Sequence, residues 1–335
     1  MAARRAKGNY EFLVRSAVNQ AHAHTTVLSI EPFETQGFSS TTYSVQLGDQ
    51  TSIVVQVRPS DRPLLLSNLG TARSTFGSLV PSGSFLMSTD DGPNQQLLFY
   101  SMSRVPGRSF DAYMRFSDGN AADSMPSIAR SLGTILAKAI IPEAEVAGLI
   151  SSQGGEKAQG LNLLEDQLEL AIQAQTDVKS FSDLKPLFAS LLHSLRTDAE
   201  LKHLPLTISN GDISPTNIII QNDTVSGIVD WEYIDIRPLG YDTEAIFWLM
   251  CVLDPPTNSF SLRPNSQAIE QSFWSAFSTA LPAHLRSQHT AIELALHIAF
   301  AIKACPAGHF NPLWAASLQE MSKYRIPLQY WAQAS

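Results

Sequence analysis

The chain has little of several things that usually announce a function. Only 2 of its 335 residues are cysteine, Cys251 and Cys305. Two thiols set in apolar runs make neither a disulfide framework nor a metal site, and both read as buried free thiols. Charge is sparse, at 16% of residues, against 44% hydrophobic residues. That is a globular composition with a lightly charged surface. Positive charge is in deficit, with a formal net charge of −8 and a pI of about 5.5. A nucleic-acid binder would want a basic face, so that class is set aside. Long hydrophobic runs are missing too. The longest, near 246–253 and 294–302, are too short to span a bilayer. The basic start MAARRAKGNYEF has no apolar run behind it and an early Glu11, which is unlike a signal or transit peptide. The expectation is a soluble, cytoplasmic protein with neither nucleic acid nor membrane as partner. No internal repeat or low-complexity tract is visible, and the length suits two lobes better than one core.

What is present is concentrated between Leu206 and Asp230, LTISNGDISPTNIIIQNDTVSGIVD. Ile218, Ile219 and Ile220 form one β-branched run, and Ile228 and Val229 form another. The polar stretch from Gln221 to Thr224 joins them as a tight turn, giving a hairpin. Asn217 stands just before the first strand and Asp230 just after the second. The ends of a hairpin lie side by side, so an amide and a carboxylate converge there. Asp212, in the preceding loop, is near enough to join them. Such an oxygen set suits a hard cation such as Mg²⁺, which takes its remaining ligands from water and substrate phosphates.

The spacing Asp212-x-x-x-x-Asn217, followed by Asp230-Trp231-Glu232, resembles the catalytic and metal-binding segment of the protein-kinase-like fold. The nearer resemblance is to the aminoglycoside phosphotransferase and choline kinase branch. Asn210-Gly211-Asp212 and Pro238-Leu239-Gly240-Tyr241-Asp242 extend the match. The resemblance implies an α+β fold of two lobes: a small antiparallel sheet lobe over residues 1–102 and a larger helical lobe over 103–335. It also implies transfer of the ATP γ-phosphate to a hydroxyl. Asp212 would be the catalytic carboxylate, and Asn217 and Asp230 would hold Mg²⁺.

The first lobe supplies the nucleotide-binding candidates. Tyr43, Val45 and Leu47 alternate as a strand, and the loop before it, with Ser39 and Ser40, is where this fold covers phosphates with backbone N–H groups. The strand from Thr51 to Arg58 should carry a lysine in this fold. It has Gln56 at that place, with Arg58 two residues on, and a guanidinium can fork onto phosphate oxygens. The helix expected over 62–76 should carry a glutamate for that lysine, yet no Glu occurs between Glu34 and Glu143. Asn210 likewise replaces a histidine. Tyr100, Ser101 and Met102 read as the hinge, with Met102 as a soft wall for adenine.

Helical spacing begins at Pro126 and continues in segments near 161–174 and 184–195, then over 245–253 up to the prolines at 255 and 256. Beyond Pro255 the chain has three acids, Glu270, Glu293 and Glu320, and five bases, Arg263, Arg286, Lys303, Lys323 and Arg325. A polycationic acceptor would want the reverse. The aromatics Trp274, Phe277, Phe300, Phe310, Trp314 and Trp331 either line an apolar acceptor site or belong to the core. Two functions remain open. One is a phosphotransferase for a mostly apolar or weakly charged metabolite. The other is a kinase-like fold that no longer uses ATP and binds or transforms such a metabolite, as a cyclase or isomerase would.

Overall fold

A computed structural model describes residues 9–34, 36, 40–90, 96–116, 121–146, 160–174, 184–232, 234–254, 259–309, 311, 318 and 320–331. The chain divides into two compact units, 1–106 and 107–335. The division falls a few residues past the boundary expected from sequence, because the strand carrying Tyr100 and Met102 runs on to Ser103.

The first unit is built on five antiparallel strands: β1 Val27–Pro32, β2 Thr41–Leu47, β3 Ser52–Pro59, β4 Gly83–Asp90 and β5 Gln96–Ser103. Their order is β1-β2-β3-β5-β4. Strict alternation sets which face is covered. Tyr43, Val45 and Leu47 of β2 and Ile53, Val55 and Val57 of β3 are buried, while the residues between them are half-exposed. Helix Glu11–Ala21 lays Val14, Ala17 and Val18, one helical stripe, against this face. Tyr10 at its start donates its N–H to the Tyr43 hydroxyl oxygen at 2.9 Å. A second helix covers Leu66–Phe76, shorter than expected because Pro63 lies in the turn before it.

The second unit is mostly helical, with three small sheets. Strands β6 Arg108–Ser109, β8 Ile218–Gln221 and β9 Thr224–Ile228 form one, in the order β6-β8-β9. Strands β7 Leu206–Ser209 and β10 Asp235–Pro238 pair as another. The third corrects the sequence reading. The helix expected over 245–253 stops at Met250, and Cys251–Asp254 is strand β11, paired with β12 Ser259–Leu262. Arg263 ends that helix: its N–H bonds the Met250 carbonyl at 2.8 Å and its Nε bonds the Leu249 carbonyl at 2.9 Å. With the helical carbonyls capped, the following Cys-Val-Leu run is free to extend.

Helix Ala121–Ala137 also departs from expectation, because it begins before Pro126 rather than at it. Proline removes the N–H that would bond the carbonyl four residues back. The Asn265 side chain supplies the missing donor, reaching the Ala122 carbonyl at 2.5 Å. This helix packs against helix Ser266–Ala280, and Gly133 is where the two come closest. A Cβ there would lie 2.5 Å from the Phe273 carbonyl oxygen. Trp274, Phe277, Phe300 and Trp331 are all buried, so these four aromatics are core. Phe310 and Trp314 lie outside the described residues. One helical stretch, Ala283–Gly308, is long and apolar enough to cross a membrane, and most of its apolar window is buried inside the protein.

The Gly133 crossing gives a test of packing. Gly133→Ala should lower unfolding stability by about 1–3 kcal/mol, because backbone rather than a flexible side chain must yield. Urea unfolding reads this. A change within about 0.5 kcal/mol would show that the helices separate freely there.

Candidate active site

The site rests on a loop that cannot follow ordinary backbone geometry. Strand β7 ends at Ser209, the chain turns at Gly211 with φ of 72°, and Asp212 begins the run to β8. Asn210 holds this turn. Its buried amide donates to the Val229 carbonyl at 3.3 Å and the Asp230 carbonyl at 3.1 Å, and its Oδ1 accepts the Asp212 N–H at 3.2 Å. One side chain therefore ties the loop to the far end of the hairpin. Asparagine can do this because it carries both donor and acceptor. From below, Asp242 holds the same turn, accepting the Ser209 hydroxyl at 2.6 Å and the Asn210 N–H at 3.3 Å.

The hairpin matches its sequence signature. Asn222 and Asp223 both have positive φ, the two-residue turn that suits strand twist. Asn217, just before β8, accepts the Val229 N–H on its backbone carbonyl at 2.9 Å. That places Asp230 one residue past a direct partner of Asn217. Asp230 itself is exposed and has φ of 60°. A non-glycine residue in that region carries backbone strain, although aspartate tolerates it better than most, and such strain clusters at functional sites.

The structure also orients Asn217. Its Nδ2 donates to the Asp212 carbonyl at 2.9 Å and to the Asp212 carboxylate at 3.2 Å. With the amide nitrogen committed to Asp212, Oδ1 is turned elsewhere and meets only the Thr216 hydroxyl, at 3.3 Å. An amide oxygen and the exposed carboxylate of Asp230, one residue past the backbone partner of Asn217, are donor types that a hard cation takes. Among the described residues no group of three or more His, Cys, Asp or Glu side chains could hold a metal.

The acids beneath the loop are perturbed. Burial pushes the Asp242 carboxyl above its usual range, against the pull of its bond from Ser209 and of Lys303. Burial likewise pushes Glu244 up to about 7, with Lys303 opposing. Glu244 and the Lys303 ammonium are in direct contact. Burial works against that ammonium, but the Glu244 carboxylate outweighs it and Lys303 ends above the ordinary lysine range. Gly240 permits this arrangement. Its φ is 98°, and a Cβ there would sit 2.8 Å from Ile292 atoms of the helix that carries Lys303. The sequence reading passed over Glu244 and Lys303. The available signal was two acids, Asp242 and Glu244, entering an otherwise apolar run.

The nucleotide candidates of the first unit come out differently from one another. Arg58 is 1% exposed, not solvent-facing at the strand end, and its Nε donates to Gln56 Oε1 at 3.0 Å. Helix Leu66–Phe76 has no acid, so Arg58 takes a partner from its own strand. Ser39 lies outside the described residues. Ser40 is buried with its hydroxyl 3.4 Å from that of Thr42. The Gln36 side chain, which sequence did not single out, braces this loop through the Thr42 N–H and carbonyl at 2.6 and 3.0 Å. Tyr100 and Met102 lie within β5, flanked by β3 on one side and β4 on the other. Their main chain lies in the middle of the sheet. Both residues are buried, with the Tyr100 ring against Phe85, and main chain beyond the strand begins at Arg104.

Comparison with known proteins agrees with this geometry. The sequence model of the phosphotransferase enzyme family matches residues 29–260, most of the chain, and the chain belongs to that family. No curated protein matches it. Among solved structures, a macrolide 2′-phosphotransferase of Brachybacterium faecium is similar at 15% identity, covering 92% of this chain and 97% of that one, with a TM-score of 0.53. The GDP complex of aminoglycoside 2′-phosphotransferase-IIIa is similar at 14% identity, covering 93% and 97%, with a TM-score of 0.54. The ternary complex of APH(2″)-IIa with streptomycin and ATP is similar at 13% identity, covering 96% and 98%, with a TM-score of 0.53. Identities this low speak for the fold: small antiparallel sheet unit and helical unit, kinase-like.

Two outcomes follow from the site. Asn210→Ala should cost about 1–3 kcal/mol, because a part-buried N–H and two part-buried carbonyls lose one partner together; urea unfolding checks it. Glu244 binds its proton more tightly folded than unfolded. Its contribution to stability is therefore complete below the ordinary value of 4.5 and is lost as pH rises through about 7. The loss should reach about 3 kcal/mol across that window. Glu244→Gln should flatten the pH dependence there, and an unchanged slope would contradict the assignment.

Proposed function

We propose that this member of the phosphotransferase enzyme family transfers the γ-phosphate of ATP to a hydroxyl of a small, mostly apolar or weakly charged acceptor. The observation that carries the proposal is the clip at Asn210, which gathers Asp212, Asn217 and Asp230 at one end of a hairpin. Asp212 orients the acceptor hydroxyl and takes its proton. The hydroxyl oxygen forms a bond to the γ-phosphorus while the bond from that phosphorus to the bridging oxygen breaks, releasing ADP. Asn217 Oδ1 and the Asp230 carboxylate would hold Mg²⁺, which would neutralise phosphate charge. Arg58 stands in for the missing lysine, with Gln56 holding its guanidinium, and Ser39 and Ser40 cover the phosphates. Tyr100 and Met102 are assigned to the wall beside the base, with only 5% and 8% of each residue exposed. Catalysis on these terms is positioning and charge stabilisation.

The acceptor class follows from what the helical unit lacks. All three acids beyond residue 258 are engaged: Glu270 with Tyr324, Glu293 with the Ile326 N–H, and Glu320 with Lys323. Among the described residues beyond 258 a polycation would find no carboxylate row. The protein works on a small molecule in the cytoplasm, with no nucleic acid or membrane as partner. A second reading keeps the fold without ATP and assigns it a metabolite-transforming role. The burial of Arg58, with no acid on helix Leu66–Phe76, is what favours it.

Release of ADP with Mg²⁺ and candidate hydroxyl acceptors tests the proposal. Asp212→Ala should lower turnover by about 10²–10⁴-fold and leave ATP affinity within about twofold, as expected of a group that acts in the transition state. Asp230→Ala should weaken Mg²⁺-dependent binding at least about tenfold. An Asp230→Ala variant with unchanged turnover would favour the second reading.

A further inference from the structure

Three carboxylates crowd one turn. Asp212 lies in the loop, Asp242 accepts hydrogen bonds from Ser209 and Asn210 beneath it, and Glu244 follows two residues on. Glu244 is 1% exposed, with Oε1 on Lys303, while Oε2 has no hydrogen-bond partner among the described residues. Lys303 is in the field of all three. Its charge favours the ionised forms of Asp242 and Glu244, and the charge on Asp212 in turn favours the ammonium. Arg237 adds a smaller favourable field on Asp242, but its ion pair is with Asp235 at 2.6 Å and its guanidinium lies over the Tyr241 ring at 5.1 Å.

Placement of Lys303 is built in rather than incidental. It sits in the last turn of helix His289–Ala304, where the helix dipole favours a cation. Ile292, about three turns earlier on the same face, is the residue that Gly240 presses against. Glycine contact at one end and an ion pair at the other fix segment Tyr241–Ala245 along the helix. A side chain at 240 would lift that segment and part Glu244 from Lys303.

We infer that Lys303, held by Glu244, is a positioning residue: its ammonium is the shared countercharge that keeps Asp212, Asp242 and Glu244 gathered and so fixes Asp212. The catalytic consequence rests on the phosphotransferase reading, while the electrostatic coupling stands apart from it. Without the ammonium, the buried Asp242 and Glu244 carboxylates lose their countercharge in a setting that screens them poorly, and the field they place on Asp212 is no longer offset. The turn carrying Asp212 is then the part able to move, because Glu244 and Asp242 are walled in and Asp212 is exposed.

The test separates holding the fold from holding Asp212. Melting temperatures at pH 8 are measured for K303M, D212N, K303M/D212N and E244Q/K303M. K303M should lower Tm by on the order of 10 °C, since it strands buried carboxylates. E244Q/K303M removes both charges and should return Tm to within about 3 °C of wild type. D212N should recover part of the K303M loss, so the pair is non-additive. ADP release with Mg²⁺ and ATP then reads function. E244Q/K303M should stay at least about tenfold slow despite its restored Tm, with KM for ATP unchanged. Additive Tm changes for K303M and D212N overturn the inference, as does full turnover by E244Q/K303M. Should the wild type release no ADP, the phosphotransferase reading fails, and the Tm cycle still decides whether Lys303 holds Asp212.

Discussion

The site depends on one side-chain amide. Asn210 bonds the main chain at Val229, Asp230 and Asp212, and together with Asn217, which bonds Asp212 and Val229, it ties the loop to the hairpin end. Everything functional hangs from that tie. Asp212 starts from its anchored N–H, Asn217 turns its amide nitrogen to Asp212, and Asp230 is held in a strained backbone conformation at the other end. Asp242 supports the same residue from below, so Asn210 is fixed by its own backbone as well as by its side chain.

That arrangement explains a tolerance and a demand. The tolerance is for asparagine where the resembling family has histidine. The loop needs a donor and an acceptor at fixed reach, and an amide supplies both without titrating. The demand is for countercharge. Gathering carboxylates at one turn is unfavourable unless something opposes them, and the chain opposes them with a lysine from a distant helix. The glycine at 240 is part of that solution, since only glycine permits such close approach to Ile292.

Much of this was legible in the sequence, for local reasons. Alternation marked β2 and β3, and the turn pair Asn222-Asp223 marked the hairpin, because period and turn chemistry act over a few residues. Hairpin geometry brings the residue before β8, Asn217, next to Val229 at the end of β9, so that neighbourhood was readable. What was not legible depends on partners far along the chain. The early start of helix Ala121–Ala137 needs Asn265, and the end of the helix at Met250 needs Arg263. The Glu244–Lys303 pair spans two elements that no pattern connects. The burial of Arg58 was missed because a strand-end arginine is usually solvated; here Gln56 gives it a partner from the same strand.

The central claim is that the chain binds ATP, and does so through a metal held by Asn217 and Asp230. Lysine and its helix glutamate are absent, so phosphate binding must lean on Arg58 and on Mg²⁺. Isothermal calorimetry of the wild-type chain with ATP, with and without Mg²⁺, tests this most directly. The account predicts modest affinity that depends heavily on Mg²⁺. No detectable heat at millimolar nucleotide in the presence of Mg²⁺ would contradict it and leave only the fold.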